Sequence, residues 1–156
     1  MKIKNEDFIR TIQNRFNEID FNVIPTINEL ELEFESPHCK SFKFKIWVES
    51  LWTISQVLAV PNLHPESYFW YNEIMFNPSS DDVDEKWIKE SQAEIISTLD
   101  ILLNYPIRIE QKNGIFSSSF KCEYKKEKWI ELSKNSLLNL SKKSIPPIEG
   151  KKYTYN

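Results

Sequence analysis

The chain has 156 residues, 40% hydrophobic and 28% charged, the profile of a folded domain long enough to bury a core without disulfide or metal staples. Only two glycines, Gly114 and Gly150, stand in it, which excludes a glycine-rich phosphate loop or dinucleotide fingerprint, since both need several glycines close together. The net charge of −3 is unevenly spread: residues 1–107 hold 9 Lys/Arg and 18 Asp/Glu, a balance of −9, and residues 108–156 hold 11 and 5, a balance of +6.

Such asymmetry marks an acidic binding face, a basic arm, or two halves that attract one another within one fold. No apolar h-region opens the chain, and no window approaches about 18 uncharged apolar residues, so neither a secretory signal nor a membrane span is expected. The expected location is the cytoplasm, with Cys39 and Cys122 as reduced thiols.

In chain order, residues 5–19 read as a helix. Phe8, Ile12, Phe16 and Ile19 form one stripe, and Asn5, Glu6 and Asp7 suit its start. Pro25 lies in the connection that follows. Residues 29–35 alternate strictly, so Leu30, Leu32 and Phe34 face a core while Glu29, Glu31, Glu33 and Glu35 face water. Residues 41–48 answer them, with Phe42, Phe44, Ile46 and Val48 inward and Lys43, Lys45 and Trp47 outward. With residues 36–40 as the loop, Phe34 is expected opposite Phe42, Glu33 opposite Lys43 and Glu31 opposite Lys45.

Residues 51–60 and 68–76 read as a third and a fourth strand, the latter opening on Tyr68-Phe69-Trp70-Tyr71. Asp82 is the expected N-cap of a long helix, with Glu85 at capping-box spacing; Ile88, Ile95, Leu99 and Leu102 form its stripe and Tyr105-Pro106 stops it. Residues 107–124 read as a second hairpin about a two-residue Asn113-Gly114 turn, which puts Lys112 opposite Ile115 and Ile107 opposite Phe120. A short strand at Trp129-Ile130 and a helix over 133–143 follow. The expected fold is α+β: a mostly antiparallel sheet built from hairpins, with helices on one face, in the order α-β-β-β-β-α-β-β-α. Residues 1–145 are read as a single domain and 146–156 as a loosely held tail.

Chemistry-bearing patterns are sparse. His38 and His64 each stand beside a proline, and His38-Cys39 has no second ligand pair at zinc spacing, so no metal is expected. Cys122 alternates with Phe120 and Tyr124 and is read as a small core residue. No catalytic residue and no cofactor are expected. The basic last third contains no arginine beyond Arg108 and no nucleic-acid motif, so nucleic acid is not an expected partner.

Three surface features remain. The glutamates of 29–35 make an acidic stripe about 20 Å long with Trp47 beside it. Asp81, Asp82, Asp84 and Glu85 form a second acidic cluster, which also complements a helix dipole. In the aromatic run at Tyr68–Tyr71, alternation sends two rings to each face, so if one face is core an aromatic pair is left on the other, with Tyr68 and Trp70 as the candidate partner-binding pair, and calls for a covering element or a partner. In this style, across the whole chain and without a matching motif, the sequence resembles the immunity proteins that bacteria carry beside polymorphic toxins, including those of contact-dependent growth inhibition. The resemblance implies a protein that binds and blocks a cognate toxin domain, often a basic nuclease. The alternative is a small-ligand or enzymatic domain with a pocket between sheet and long helix, lined by Trp52, Trp70 and Trp87.

Overall fold

The computed structural model describes residues 5–62, 70–75, 84–113, 118–132 and 152–155, with the backbone path alone for 70–75, 111–113, 118–120 and 152–155. Asn5–Arg15 form α1, with Phe8 and Ile12 buried, Glu6 and Asp7 in its first turn and Arg15 in its last, charges that suit the helix dipole. It ends four residues short of the expected boundary, and Phe16 and Ile19 instead close successive turns. The expected N-cap of the long helix is also corrected. Asp84, not Asp82, caps α2 (Glu85–Asn104), its carboxylate accepting from the Trp87 N–H at 2.7 Å. Tyr105 ends that helix, as expected.

One sheet holds β1 (Asn22–Val23), β2 (Leu30–Ser36), β3 (Cys39–Val48), β4 (Ile54–Pro61) and β5 (Trp70–Met75), in that order. A second holds β6 (Ile107–Asn113), β7 (Ser118–Lys125), β8 (Trp129–Glu131) and β9 (Lys152–Tyr155), in the order β8-β7-β6-β9. Every pairing is antiparallel. The α+β class stands, with two sheets in place of one. Residues 152–155, expected in a loose tail, form an edge strand on β6. Tyr68, Phe69 and the helix expected over 133–143 lie outside the described residues.

Both hairpins keep the expected faces but change register. Phe34 pairs with Phe44, Glu33 with Lys45, Glu35 with Lys43 and Glu31 with Trp47, a slip of two residues. The cause is the turn: β2 runs on to Ser36, the chain reverses over Pro37-His38, and an irregularity beside Ser36 absorbs the extra residues of β3. In the second hairpin Asn113 pairs with Ser118, which is not the register expected for a two-residue turn. Ile107 lies opposite Tyr124 and Ile109 opposite Cys122, a slip of four. Even slips leave each side chain on its face, which explains why Leu32, Phe34, Ile107, Ile109 and Cys122 still enter the core; on the second hairpin the outward Glu110 and Glu123 are buried as well.

The two sheets and both helices share one core. Leu30, Leu32, Phe34, Phe42, Phe44, Ile46 and Val48 are buried from β2 and β3, with Ile88, Ile95, Leu99 and Leu102 from α2, and Ile107, Ile109 and Cys122 from the second sheet. Phe21 meets Phe16 and Phe34, and Phe34 stacks on Phe44 at 5.6 Å, tying the end of α1 to the sheet. Arg15 of α1 reaches Asp100 of α2 at 2.8 Å. The buried Ser36 hydroxyl donates to the Leu102 carbonyl, satisfying one of the orphan acceptors at the end of α2.

Candidate functional site

The strict alternation of β2 and β3 places Glu31, Glu33, Glu35, Lys43, Lys45 and Trp47 on the face turned away from the core. Lys45 sits between two carboxylates, its Nζ 2.6 Å from Glu31 Oε1 and 3.6 Å from Glu33 Oε1. The closer contact is the diagonal one, since Glu31 lies directly opposite Trp47. The Trp47 indole is half-buried and donates through Nε1 to Glu29 Oε2 at 3.0 Å. Glu35 is exposed. Glu29, Glu31, Glu33, Glu35 and Trp47 are thus brought together as the sequence suggests, and four carboxylates face two lysines.

Two of the other expected residues are engaged elsewhere. Asp84 is spent on capping α2, and Glu85 pairs with Lys89 one turn on, at 3.1 Å. Trp70 pairs with Ala59 in β5, and its side chain, like Tyr68, Asp81 and Asp82, lies outside the described residues. Of the tryptophans offered for a ligand pocket, Trp52 is 1% exposed and packs edge-on against Phe8. Its Nε1 donates to Asn5 Oδ1 and its carbonyl accepts from Trp87 Nε1, so both rings are engaged in holding α1, α2 and the 49–53 turn together.

Sequence reasoning passed over a second feature, an open cleft of about 960 Å³ between the start of α1, residues 23–31 and residues 50–51. Three exposed apolar side chains line it: Ile27 (97% exposed), Leu51 (65%) and Val23 (42%). Glu6, Asp7, Glu29 and Glu31 add carboxylates to the lining, and Arg10, 3.8 Å from Asp7, adds a guanidinium. The walls are held by hydrogen bonds. Ile24 N–H donates to the Glu31 carbonyl, Asn5 Nδ2 to the Asn28 carbonyl and Leu51 N–H to Glu49 Oε2. The Glu49 carboxylate also accepts from the hydroxyls of Ser50 and Thr53. The Ser50 bond leads the effects that hold this carboxyl below its ordinary pKa. Trp52 closes the turn at φ 62°, a left-handed conformation rare for so large a residue and sustained by the packing of its ring. The signal in the sequence was Val23-Ile24-Pro25-Thr26-Ile27, apolar residues in a stretch that reads as a connection.

The second sheet carries a charge cluster of another kind. Glu110 and Glu123, 5% and 6% exposed, lie between Arg108 and Lys121. Arg108 Nε donates to Glu123 Oε2 at 2.5 Å, and Lys121 Nζ reaches Glu123 Oε1 at 2.8 Å and Glu110 Oε2 at 3.2 Å. The Arg108 guanidinium also lies 4.2 Å over the Trp129 ring. Burial pushes the Glu123 carboxyl up, but hydrogen bonds from Lys121 and Arg108, with their charges, outweigh it and hold its pKa below the ordinary value. The bond to Glu123, and after it the bond to Glu110, raises the Lys121 amine above its ordinary value. Ion pairs between described residues stay within each part of the chain: Lys121 and Arg108 serve their own sheet and do not reach the glutamates of β2.

Neither Cys39 nor Cys122 is in a disulfide, and both are buried. Burial pushes the Cys39 thiol up to about 11, so it is a packing residue and a poor nucleophile. His38 is exposed in the β2–β3 turn. Among the described residues no His, Cys, Asp and Glu group is placed to hold a metal ion, and no helix is long and apolar enough to cross a membrane. Comparison with protein-family models, curated proteins and solved structures finds no match to this chain.

Proposed function

We propose that this chain is a protein-binding inhibitor, an immunity protein of the cytoplasm that docks and neutralises a cognate toxin domain, a basic nuclease being the class its charge suits. The supporting observation is the outward face of β2 and β3. Four glutamates stand there against two lysines, and Lys45 offsets only part of the charge of Glu31 and Glu33. Trp47 lies among them, half-buried, with its indole N–H on Glu29. Carboxylates in rows steer a basic partner and set specificity, while a flat aromatic ring at the centre supplies contact area at little entropic cost.

The test is co-expression with the product of the neighbouring gene, followed by survival and by binding kinetics. Glu31→Lys with Glu33→Lys is expected to slow association about tenfold at low salt and to flatten its salt dependence. Trp47→Ala is expected to act on dissociation. If the neighbouring product is not toxic, or the double reversal binds it with unchanged kinetics, the reading fails.

A further inference from the structure

We propose that the cleft framed by Val23, Ile27 and Leu51 is the anchoring site for the partner, and that it takes an apolar side chain carried on a protein segment flanked by lysine or arginine. This deepens the reading above and rests on it only in taking the occupant to be a protein.

Single exposed apolar residues are commonplace, but these three line one concavity, and clustered exposure of this kind marks an interaction surface. Ile27, almost wholly exposed, forfeits the burial that an isoleucine gains in a core, and a partner's apolar side chain would restore it. The carboxylates of Glu6, Asp7, Glu29 and Glu31 outnumber the one guanidinium of the lining, Arg10, so the occupant's flanks are basic; the anionic headgroups of a lipid surface and the phosphates of a nucleic acid would be repelled. Glu29 belongs both to this lining and to the Trp47 contact, so the cleft continues the acidic face of β2 and β3. Its walls are tied by backbone and side-chain hydrogen bonds, so little ordering is needed when a ligand enters.

The experiment uses the ¹⁵N-labelled full chain and synthetic peptides as probes. One peptide carries leucines between pairs of lysines; a second replaces the leucines by serine; a third replaces the lysines by glutamate. The first is expected to shift the amides of 23–31 and 50–51 and to bind at least about tenfold more tightly than either control, as for an anchor that needs both apolar and charged contacts. Ile27→Asp with Leu51→Asp is expected to remove this binding. The far-ultraviolet circular dichroism and the urea midpoint should be preserved, because both side chains are exposed. The proposal is overturned if the serine peptide binds equally well, if the shifts fall elsewhere, if the double variant binds unchanged, or if the cleft is occupied by a second copy of the chain, seen as concentration-dependent shifts at the same amides. The two readings fail separately. A toxin that binds the Ile27→Asp/Leu51→Asp variant normally, yet binds Glu31→Lys/Glu33→Lys slowly, removes the cleft and keeps the inhibitor. Selective peptide binding with no toxic neighbour keeps the cleft and removes the inhibitor.

Discussion

The two sheets handle charge in opposite ways. On β2 and β3 the carboxylates stand in a row, half-buried or exposed, with Lys45 shared between two of them and Glu35 exposed. On β6 and β7 two carboxylates are almost wholly buried, each facing both Arg108 and Lys121, and the guanidinium is further covered by Trp129. The first arrangement leaves surplus negative charge at the surface, where it can act on a partner at a distance. The second neutralises its charges internally, and its energy goes into the fold. Acidic residues that look alike in the sequence therefore have different roles, decided by what stands across the strand.

The largest expected effect breaks the buried cluster. Glu123→Ala leaves Arg108 and Lys121 without their main acceptor and is expected to cost about 3 kcal/mol in urea unfolding, toward the low end for a broken buried pair because Lys121 is partly exposed. The comparison collapses if this variant unfolds at the wild-type midpoint. A pH series sharpens it. The folded pKa of Glu123 lies below its ordinary value of 4.5, so its contribution is fully present above that value and is lost as pH falls through the folded pKa. Glu123→Gln imitates the protonated acid. Its stability deficit is therefore expected to be constant near about pH 7 and to shrink as pH falls below about 4.5. A deficit that grows in acid would reverse the sign of the argument for this cluster.

Smaller effects follow. Arg108→Lys keeps the charge but loses the planar fork and the stacking on Trp129, and about 1 kcal/mol is expected, read as a shift in urea midpoint with an unchanged slope. Lys45→Met, on the open face, is expected to cost less than about 1 kcal/mol, because its carboxylate partners are half-buried and keep contact with water, unlike the enclosed Glu110 and Glu123. The same variant raises the surplus negative charge, so a basic partner should associate faster. Should Lys45→Met destabilise as much as Glu123→Ala, the distinction between the two sheets is wrong.

On β2 and β3 the buried side could be read from the residues alone. Side chains alternate with period two, so Leu30, Leu32 and Phe34, or Phe42, Phe44 and Ile46, enter the core together, and no even slip changes that. The long helix could be read likewise, because the stripe from Ile88 to Leu102 and the stop at Tyr105-Pro106 are local signals. The acidic row with Trp47 was legible for the same reason as the strand faces.

Tertiary structure alone decided the registers, the division into two sheets and the cleft. Pattern matching cannot choose between even slips. In the second hairpin the choice falls on the alignment that sets Arg108 opposite Glu123 and Glu110 opposite Lys121, whereas the two-residue turn would have faced Arg108 with Ser119. In the first hairpin either alignment pairs two glutamates with two lysines, and the reversal at Pro37-His38 decides. Ile27 and Leu51 are 24 residues apart and lie in irregular segments without periodicity, so nothing local marks them as neighbours. They line one cleft because α1 and the Glu49–Thr53 turn are pinned by Trp52, through a ring packed on Phe8 and a backbone held at positive φ, and such long-range packing leaves no trace in spacing.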